Sequence, residues 1–164
     1  MSRIDIKKVK PSGNYKSGLY VPANPGKYIG DINKIIFRSS WEKKFCIYCD
    51  TNADIIKWSS EPVCINYWNP VDKKEKTYNL DYFIQVHKGD GELENWFIEI
   101  KPKNQYALDQ KPEIKGQHTE KKLKAYNDKM KIWITNRAKM EAGKRYAESR
   151  GYKFGTINED FLFK

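Results

Sequence analysis

The run that most constrains the architecture is YNLDYFIQV (residues 78–86), followed after a short turn by NWFIEIK (residues 95–101). In the first run, large apolar residues alternate with Asn79, Asp81, Phe83 and Gln85, which is the period of a β-strand. The intervening residues 87–91 include Gly89, Asp90 and Gly91, which favour a hairpin turn. We therefore expect two antiparallel strands, the second ending at Pro102.

Helical patterns flank this hairpin on both sides. Ser39 or Ser40 is a good N-cap for a helix that ends near residues 50–52, with one buried face. Short β-like runs at residues 55–58 and 63–68 follow, then a turn at 69–74. A long helical pattern begins at Thr119 and ends at Gly151, with its likeliest break at residues 135–136, and a strand follows at 152–157. One face of this helix forms a largely apolar stripe that includes Leu123 and Trp133, and we expect Trp133 in the core. The order predicts an α/β layer whose sheet is covered by helices.

Composition favours one folded domain. The chain has 164 residues, of which 39% are hydrophobic and 14% aromatic, enough for a core. No run approaches the roughly 18 apolar residues of a membrane span, and the N-terminus lacks the apolar stretch of a secretory signal. We expect a soluble intracellular protein with no membrane partner.

The net charge of +10 is unevenly distributed. Residues 1–30 and 101–164 are strongly basic, whereas residues 31–100 carry nine bases and twelve acids. Basic flanks suit a polyanion such as nucleic acid, and an acidic centre suits a cation site facing it. A solvated basic surface without any partner is the alternative. Because residues 1–30 are rich in proline and glycine, we predict a basic, extended arm there, with a flexible tail as the alternative, and a domain over residues 31–164.

The odd number of cysteines, three, argues against a disulfide framework. Cys46 and Cys49 have the C-x-x-C spacing of some zinc and redox sites, but no fitting second pair of ligands exists. We interpret them as small apolar core residues near a helix end.

The residues with the strongest chemical signal are Asp81, Glu99 and Lys101. Residues i and i+2 share one face of a strand, so Glu99 and Lys101 point the same way and Ile98 and Ile100 face the opposite core. An acid at position 81, amid apolar neighbours, costs free energy unless something pairs with it. A divalent cation shared with Glu99 would do so. An ordinary ion pair explains Glu99 and Lys101 equally well.

Two carboxylates and a lysine are the groups that metal-dependent phosphodiester hydrolysis needs. Mg²⁺ prefers oxygen ligands; it polarises a phosphate and activates water. Lys101 would stabilise developing negative charge and orient the attacking water.

In its motifs the chain resembles the PD-(D/E)XK nuclease superfamily. The resemblance lies in Asp81, in the Glu99-Ile100-Lys101 run that follows after seventeen intervening residues, and in Glu42 on a first helix. Longer stretches resemble the head completion nucleases of T4-type bacteriophages, with similarity also to the endonuclease subunit of Tn7-type transposases. These stretches are residues 38–45, 58–61 and 98–103, together with residues 27–31 near the N-terminus.

The resemblance implies an α/β fold of the restriction-endonuclease-like type, with an αβββαβ core and a mixed sheet flanked by helices. It implies Asp81 and Glu99 as metal ligands, Lys101 as the catalytic lysine and Glu42 as a supporting acid of the metal site. Mg²⁺ is the implied cofactor, with Mn²⁺ as a substitute.

The chain departs from the superfamily pattern at two positions. Leu80 replaces the motif's proline. Gln117 lies where some members have a helical glutamine, but the tyrosine that accompanies it is absent. Glu61 is either a second acidic ligand or, as we favour, a turn residue before Pro62.

The phage resemblance also implies a role. Such a nuclease acts in head completion before the tail joins, trimming packaged DNA, with portal or neck proteins as partners. It would work in the host cytoplasm, with retention in the virion head or neck as a further alternative. A non-catalytic DNA-binding connector is the competing hypothesis. Candidate contacts to DNA, without strong sequence specificity, are Arg38, Lys43, Lys103, Lys121 and Lys122.

Overall fold

The computed structural model describes residues 17–101 and 111–162, apart from the side chain of Glu159. The helices in these residues are α1 (Ser40–Thr51), α2 (Glu120–Glu148) and α3 (Glu159–Leu162). The strands are β1 (Gly18–Leu19), β2 (Ile36–Phe37), β3 (Ile55–Ser60), β4 (Cys64–Asn69), β5 (Lys74–Asn79), β6 (Tyr82–His87), β7 (Leu93–Ile100) and β8 (Lys153–Ile157).

A mixed four-stranded sheet forms the centre, in the order β3-β6-β7-β8. Strands β3, β6 and β7 are antiparallel neighbours, and β8 runs parallel to β7 because α2 crosses over between them. The predicted hairpin is present, with Tyr82 opposite Ile98 and His87 opposite Leu93. The small pairs β1-β2 and β4-β5 lie outside this sheet.

Helices cover both faces of the sheet, which confirms the predicted layered α/β architecture. Strand alternation sends Ile98 and Ile100 to the face under α1, and Phe97 to the face under α2. The cluster under α1 is built around Phe45, Cys46, Cys49, Ile55, Trp58, Tyr82 and Ile84. The cluster under α2 contains Ile65, Tyr67, Leu80, Ala142 and Ala147.

Local sequence signals placed both long helices correctly. Ser39 is the N-cap of α1, and its side chain accepts a hydrogen bond from the backbone N–H of Glu42. Thr119 caps α2 in the same way. The chain leaves α2 through Gly151, whose φ of +68° lies in the left-handed region. The suggested break at residues 135–136 is absent, since α2 runs through them without interruption.

The prediction of one strand over residues 78–86 was wrong. The chain forms two strands there, β5 and β6, separated at Leu80 and Asp81. The backbone N–H of Leu80 donates to Val63, whereas the carbonyl of Asp81 accepts from Glu61. The chain changes partners at this point: β5 pairs with β4, while β6 joins β3 and β7. Alternation of apolar residues continues through such a change and cannot reveal it.

The apolar stripe predicted along α2 is buried only near its C-terminal end. Ala142, Gly143 and Ala147 are the buried residues of this helix. Trp133, expected in the core, is half-buried with the Arg137 guanidinium 5.0 Å from its ring centroid. Leu123 is 41% exposed. The hydrophobic period therefore correctly indicated a helix, but it overestimated how much of its length packs on the sheet.

The described part of the predicted N-terminal arm lies against the domain. Asp50, fully buried at the end of α1, accepts hydrogen bonds from the Tyr20 hydroxyl and from the backbone N–H groups of Ala23 and Asn24. Lys27 donates to the carbonyl of Asp50. Residues 1–16 of the arm lie outside the described residues, and the division of the chain at residue 30 stays a prediction.

The cysteines behave as the sequence indicated. Cys46 and Cys49 are fully buried free thiols in the core cluster under α1, and Cys64 is exposed. Burial raises the pKa of Cys46 to about 12 and raises that of Cys49 well above its ordinary value. Both therefore stay protonated and apolar in character. Among the described residues, no helix is long and apolar enough to span a membrane.

Candidate functional site

Two acidic side chains and a lysine meet where β5, β6 and β7 come together. Asp81 lies at the junction between β5 and β6, and Glu99 is the penultimate residue of β7. The Asp81 Oδ2 atom accepts a 2.8 Å hydrogen bond from the backbone N–H of Ile100. Glu99 is 2% exposed, and its Oε2 atom is 3.5 Å from Lys101 Nζ. The predicted shared face of Glu99 and Lys101 is therefore present.

The buried acid pair is electrostatically unfavourable in the absence of a cation. Burial raises the pKa of Glu99, and the negative charge of Asp81 raises it further. Burial also raises the pKa of Asp81, against the opposing effects of Lys101 and the Ile100 N–H. One lysine does not offset two neighbouring carboxylates, one buried and one half-buried, so the pair keeps a proton at pH values above the ordinary carboxyl range.

One oxygen of the pair has no protein partner. Glu99 Oε1 is buried, and no hydrogen-bond donor reaches it within the described residues. A buried carboxylate oxygen without a partner is costly unless a ligand occupies the position. The donor set of Glu99 and Asp81 is all oxygen and suits a hard divalent cation such as Mg²⁺.

Glu42 lies near this pair but is engaged with its own helix. Its Oε2 atom accepts from the backbone N–H of Arg38 at 2.7 Å, and its Oε1 atom accepts from the Ser39 hydroxyl at 3.2 Å. This is a capping arrangement at the start of α1. Burial raises the pKa of Glu42, and the charge of Asp81 adds to the effect. Within residues 17–101 and 111–162, no three Asp, Glu, His or Cys side chains converge as a metal-binding group.

Glu61 supports the site through its backbone. It occupies the turn between β3 and β4 with a φ of +45°, and its N–H donates to the Asp81 carbonyl at 2.8 Å. A non-glycine residue in this region stores strain that the surroundings must hold. Its carboxylate pairs with Arg38 Nε at 2.7 Å. The interpretation of Glu61 as a turn residue agrees with this geometry.

The predicted DNA contacts lie apart from one another along the chain. Arg38 and Lys43 are exposed around the start of α1, and Lys121 and Lys122 are exposed in the first turn of α2. Gln117, just before α2, is exposed as well. Lys103 lies outside the described residues.

The sequence analysis did not single out Tyr78 and Lys139, which are in contact close to the Asp81 junction. The Tyr78 hydroxyl, at the end of β5, donates to the Lys139 carbonyl on α2 at 2.6 Å. Burial raises the pKa of Tyr78, followed by the charges of Glu99 and Asp81, so its hydroxyl is near the acid pair. Nothing local distinguishes Lys139 from the other lysines of α2, because only the packing of the β4-β5 hairpin on the helix selects it.

Comparison with known proteins decides the family. A family model described as "TnsA-like endonuclease N terminal" matches residues 52–159, which include Asp81, Glu99 and Lys101. The chain belongs to the TnsA-like endonuclease family. This membership confirms the restriction-endonuclease-like fold class predicted from the motifs.

Within this family of endonucleases, the chain is similar to a phage protein. It is 37% identical to the head completion nuclease of Enterobacteria phage T4 over 147 residues, covering 89% of this chain and 93% of the phage protein. No solved structure matches the chain. Both relationships agree with the families that the sequence motifs resemble.

Proposed function

We propose that this chain is a Mg²⁺-dependent DNA nuclease that hydrolyses phosphodiester bonds during phage head completion. The observation that carries the proposal is the pair of the half-buried Asp81 and the buried Glu99, with Lys101 3.5 Å from Glu99 and a Glu99 oxygen that has no hydrogen-bond partner among the described residues. Buried like charges are retained at a cost to stability, which is expected where they perform chemistry. Membership of an endonuclease family supports the same conclusion.

In this proposal the two carboxylates hold the cation. Bound Mg²⁺, for which Mn²⁺ can substitute, supplies a Lewis acid at a phosphate oxygen and favours ionisation of water. Asp81 is oriented by the Ile100 N–H, so its carboxylate is positioned before the substrate arrives. Glu42, through its cap at α1, supports the site next to Asp81.

Lys101 acts on the phosphate in this scheme. Its backbone N–H donates to the Ile157 carbonyl at 2.9 Å, which fixes the residue between the ends of β7 and β8. Its side chain is 23% exposed, so the ammonium can reach both Glu99 and an incoming phosphate. We assign it stabilisation of the negative charge that develops during hydrolysis and orientation of the attacking water.

The biological setting follows from the relative. Because the similar T4 protein is a head completion nuclease, we propose that this chain acts on packaged DNA in the host cytoplasm before the tail joins, with portal or neck proteins as partners. Retention in the virion is part of this hypothesis. Exposed basic residues Arg38, Lys43, Lys121 and Lys122 would hold phosphates without reading sequence.

The competing function is a connector that binds DNA without cutting it. Two buried carboxylates facing a phosphate backbone would weaken such a protein, because like charges repel. The acid pair therefore favours catalysis over simple binding.

Cleavage of plasmid and linear DNA by the purified protein, with Mg²⁺ or with EDTA, tests the proposal. Asp81→Ala and Lys101→Ala should abolish metal-dependent cleavage, while Asp90→Ala and Lys88→Ala in the exposed β6-β7 turn should cut normally. If the wild type binds DNA and never cuts it, or both site variants cut normally, the connector hypothesis takes its place.

A further inference from the structure

A second lysine, Lys139, packs against the β4-β5 hairpin that leads into Asp81. Lys139 lies in the second half of α2 and is half-buried. Its ammonium is 5.8 Å from the ring centroid of Tyr67 and 5.9 Å from that of Tyr78. Two aromatic rings of the β4-β5 hairpin therefore flank the cation and restrict where it can go.

The packing of the hairpin on α2 explains this position. The Tyr78 hydroxyl donates to the Lys139 carbonyl, and Gly143, one turn further along α2, leaves room for that hydroxyl. Tyr78 is only three residues before Asp81, so the same contact that holds the helix also holds the chain leading to the acid pair. The side chain of Lys139 is thereby kept on the α2 side of the sheet, the side that Glu99 and Lys101 face.

The charged groups that act on the pKa of Lys139 are mainly those of the candidate site. Burial lowers the pKa of Lys139, as does the positive charge of Lys101, whereas Glu99 and Asp81 act to raise it. All three site residues are thus close enough to perturb this ammonium. They are its main charged neighbours, together with Lys76.

Lys139 is also free of a direct carboxylate partner within the described part of the chain. Lys101 is within 4.0 Å of Glu99, but no Asp or Glu there comes that close to Lys139 Nζ. A half-buried cation without an ion-pair partner is costly. It becomes favourable when an anion enters, and a DNA phosphate is the anion that a nuclease site admits.

We propose that Lys139 is a second phosphate-contacting lysine of the active site, acting with Lys101 on the phosphodiester that is cut. This inference rests on the proposed nuclease function. Hydrolysis adds negative charge to the phosphate on the way to the transition state, and a second preorganised cation offsets it. Lys101 approaches along the sheet and Lys139 from the helix, so they contact the phosphate from two sides.

The test compares Lys139→Ala, Lys139→Arg and a matched control, Lys144→Ala. Lys144 is on the same helix, but its side chain is 67% exposed and pairs with Glu148. Two quantities are measured: the single-turnover cleavage rate with Mg²⁺, and the salt dependence of binding to a short labelled duplex in EDTA. Melting temperatures establish that each variant is folded.

Lys139→Ala should slow single-turnover cleavage by about 10²-fold and reduce the slope of log affinity against log salt by about one phosphate contact. Lys139→Arg should restore most of both, and Lys144→Ala should leave both unchanged. A wild-type salt slope in Lys139→Ala overturns the proposal. So does a loss of rate that accompanies a lower melting temperature and is not restored by arginine. If the wild type itself never cuts, the nuclease function fails, and the salt slope still decides whether Lys139 contacts phosphate.

Discussion

Asp81 Oδ2 accepts a 2.8 Å hydrogen bond from the backbone N–H of Ile100, the residue between Glu99 and Lys101. This bond ties the β5-β6 junction to the end of β7. It holds the Asp81 carboxylate next to the end of β7, so the distance between the Asp81 and Glu99 carboxylates depends on backbone geometry. The arrangement proposed for catalysis is therefore held by the fold itself.

Replacing Glu99 by glutamine should stabilise the metal-free protein, increasingly so as the pH rises. The pKa of Glu99 is raised, so the folded protein keeps a proton that the unfolded chain releases at lower pH. The free energy of unfolding of the wild type consequently falls as pH rises from the ordinary glutamate range up to the folded-state pKa. Glu99→Gln does not lose stability in this way, because glutamine has no titratable proton. Asp81 remains in the variant as a counter-charge for Lys101.

Urea denaturation in EDTA at several pH values measures this effect. We expect the two proteins to converge near pH 4 and the variant to be more stable by at least about 1 kcal/mol at high pH, since one pKa unit is worth about 1.4 kcal/mol. Glu92→Gln, in the exposed β6-β7 turn, serves as the control. A constant difference across the pH range would contradict the assignment of the raised pKa to Glu99.

Addition of Mg²⁺ should stabilise the wild type and have little effect on Asp81→Asn. A cation that binds only the folded state contributes about 2.7 kcal/mol at a hundred times its Kd. The affinity should increase with pH, because the carboxyl pair must lose its proton for the ion to bind. Melting temperature as a function of Mg²⁺ concentration checks this without DNA. An equal shift in Asp81→Asn would place the ion elsewhere.

Replacing Asp50 by alanine should destabilise the fold and release the N-terminal segment. The buried carboxylate accepts from the Tyr20 hydroxyl and from the N–H groups of Ala23 and Asn24. Loss of a hydrogen bond to a carboxylate costs about 1.5–3 kcal/mol. We expect a loss of at least about 3 kcal/mol in urea denaturation, with earlier tryptic cleavage at Lys27. The exposed Asp54→Ala, just after α1, is the control; equal stability of both variants would show that the segment is held by other contacts.

Gly143→Ala should weaken the contact between α2 and the β4-β5 hairpin. A methyl group at this position would overlap the Tyr78 hydroxyl and come within 2.8 Å of Phe154 Cε2. Overpacking costs about 1–3 kcal/mol and the better helix propensity of alanine returns about 1 kcal/mol. The variant should therefore melt at a lower temperature and cleave more slowly, because Lys139 moves with Tyr78.

Gly89→Ala is the matched control for this change, since nothing lies within 4 Å of a methyl group there. Its stability should stay within about 0.5 kcal/mol of the wild type. Unchanged melting and cleavage in Gly143→Ala would mean that the helix shifts without cost and that the Tyr78 contact does not position Lys139.

Local patterns were sufficient for much of the fold. The cap at Ser39, the hairpin turn after His87 and the helix stop at Gly151 each depend on the chemistry of a few adjacent residues, and all three are present. The same holds for Glu99 and Lys101, whose shared face follows from the two-residue period of a strand. These features needed no knowledge of distant contacts.

Local sequence patterns did not predict the contacts between distant segments. The sequence analysis joined β5 and β6 into one strand because alternation does not record which strand is the partner. It also placed more of the α2 stripe in the core than the sheet is able to cover. In both cases the sequence pattern correctly indicated a strand or a helix. It could not indicate which distant segment packs against that strand or helix.

The sequence by itself determined the candidate residues Asp81, Glu99 and Lys101, because their spacing along the hairpin strands places them close together. Tertiary structure alone decided that Lys139 packs on Tyr78, that Glu42 is engaged in its helix cap and that Asp50 holds the N-terminal segment. The physical reason is that burial, and the loss of free energy from unpaired charge, depend on which segments pack together. Spacing along a strand or helix is local, whereas the removal of a charge from water is a property of the whole fold.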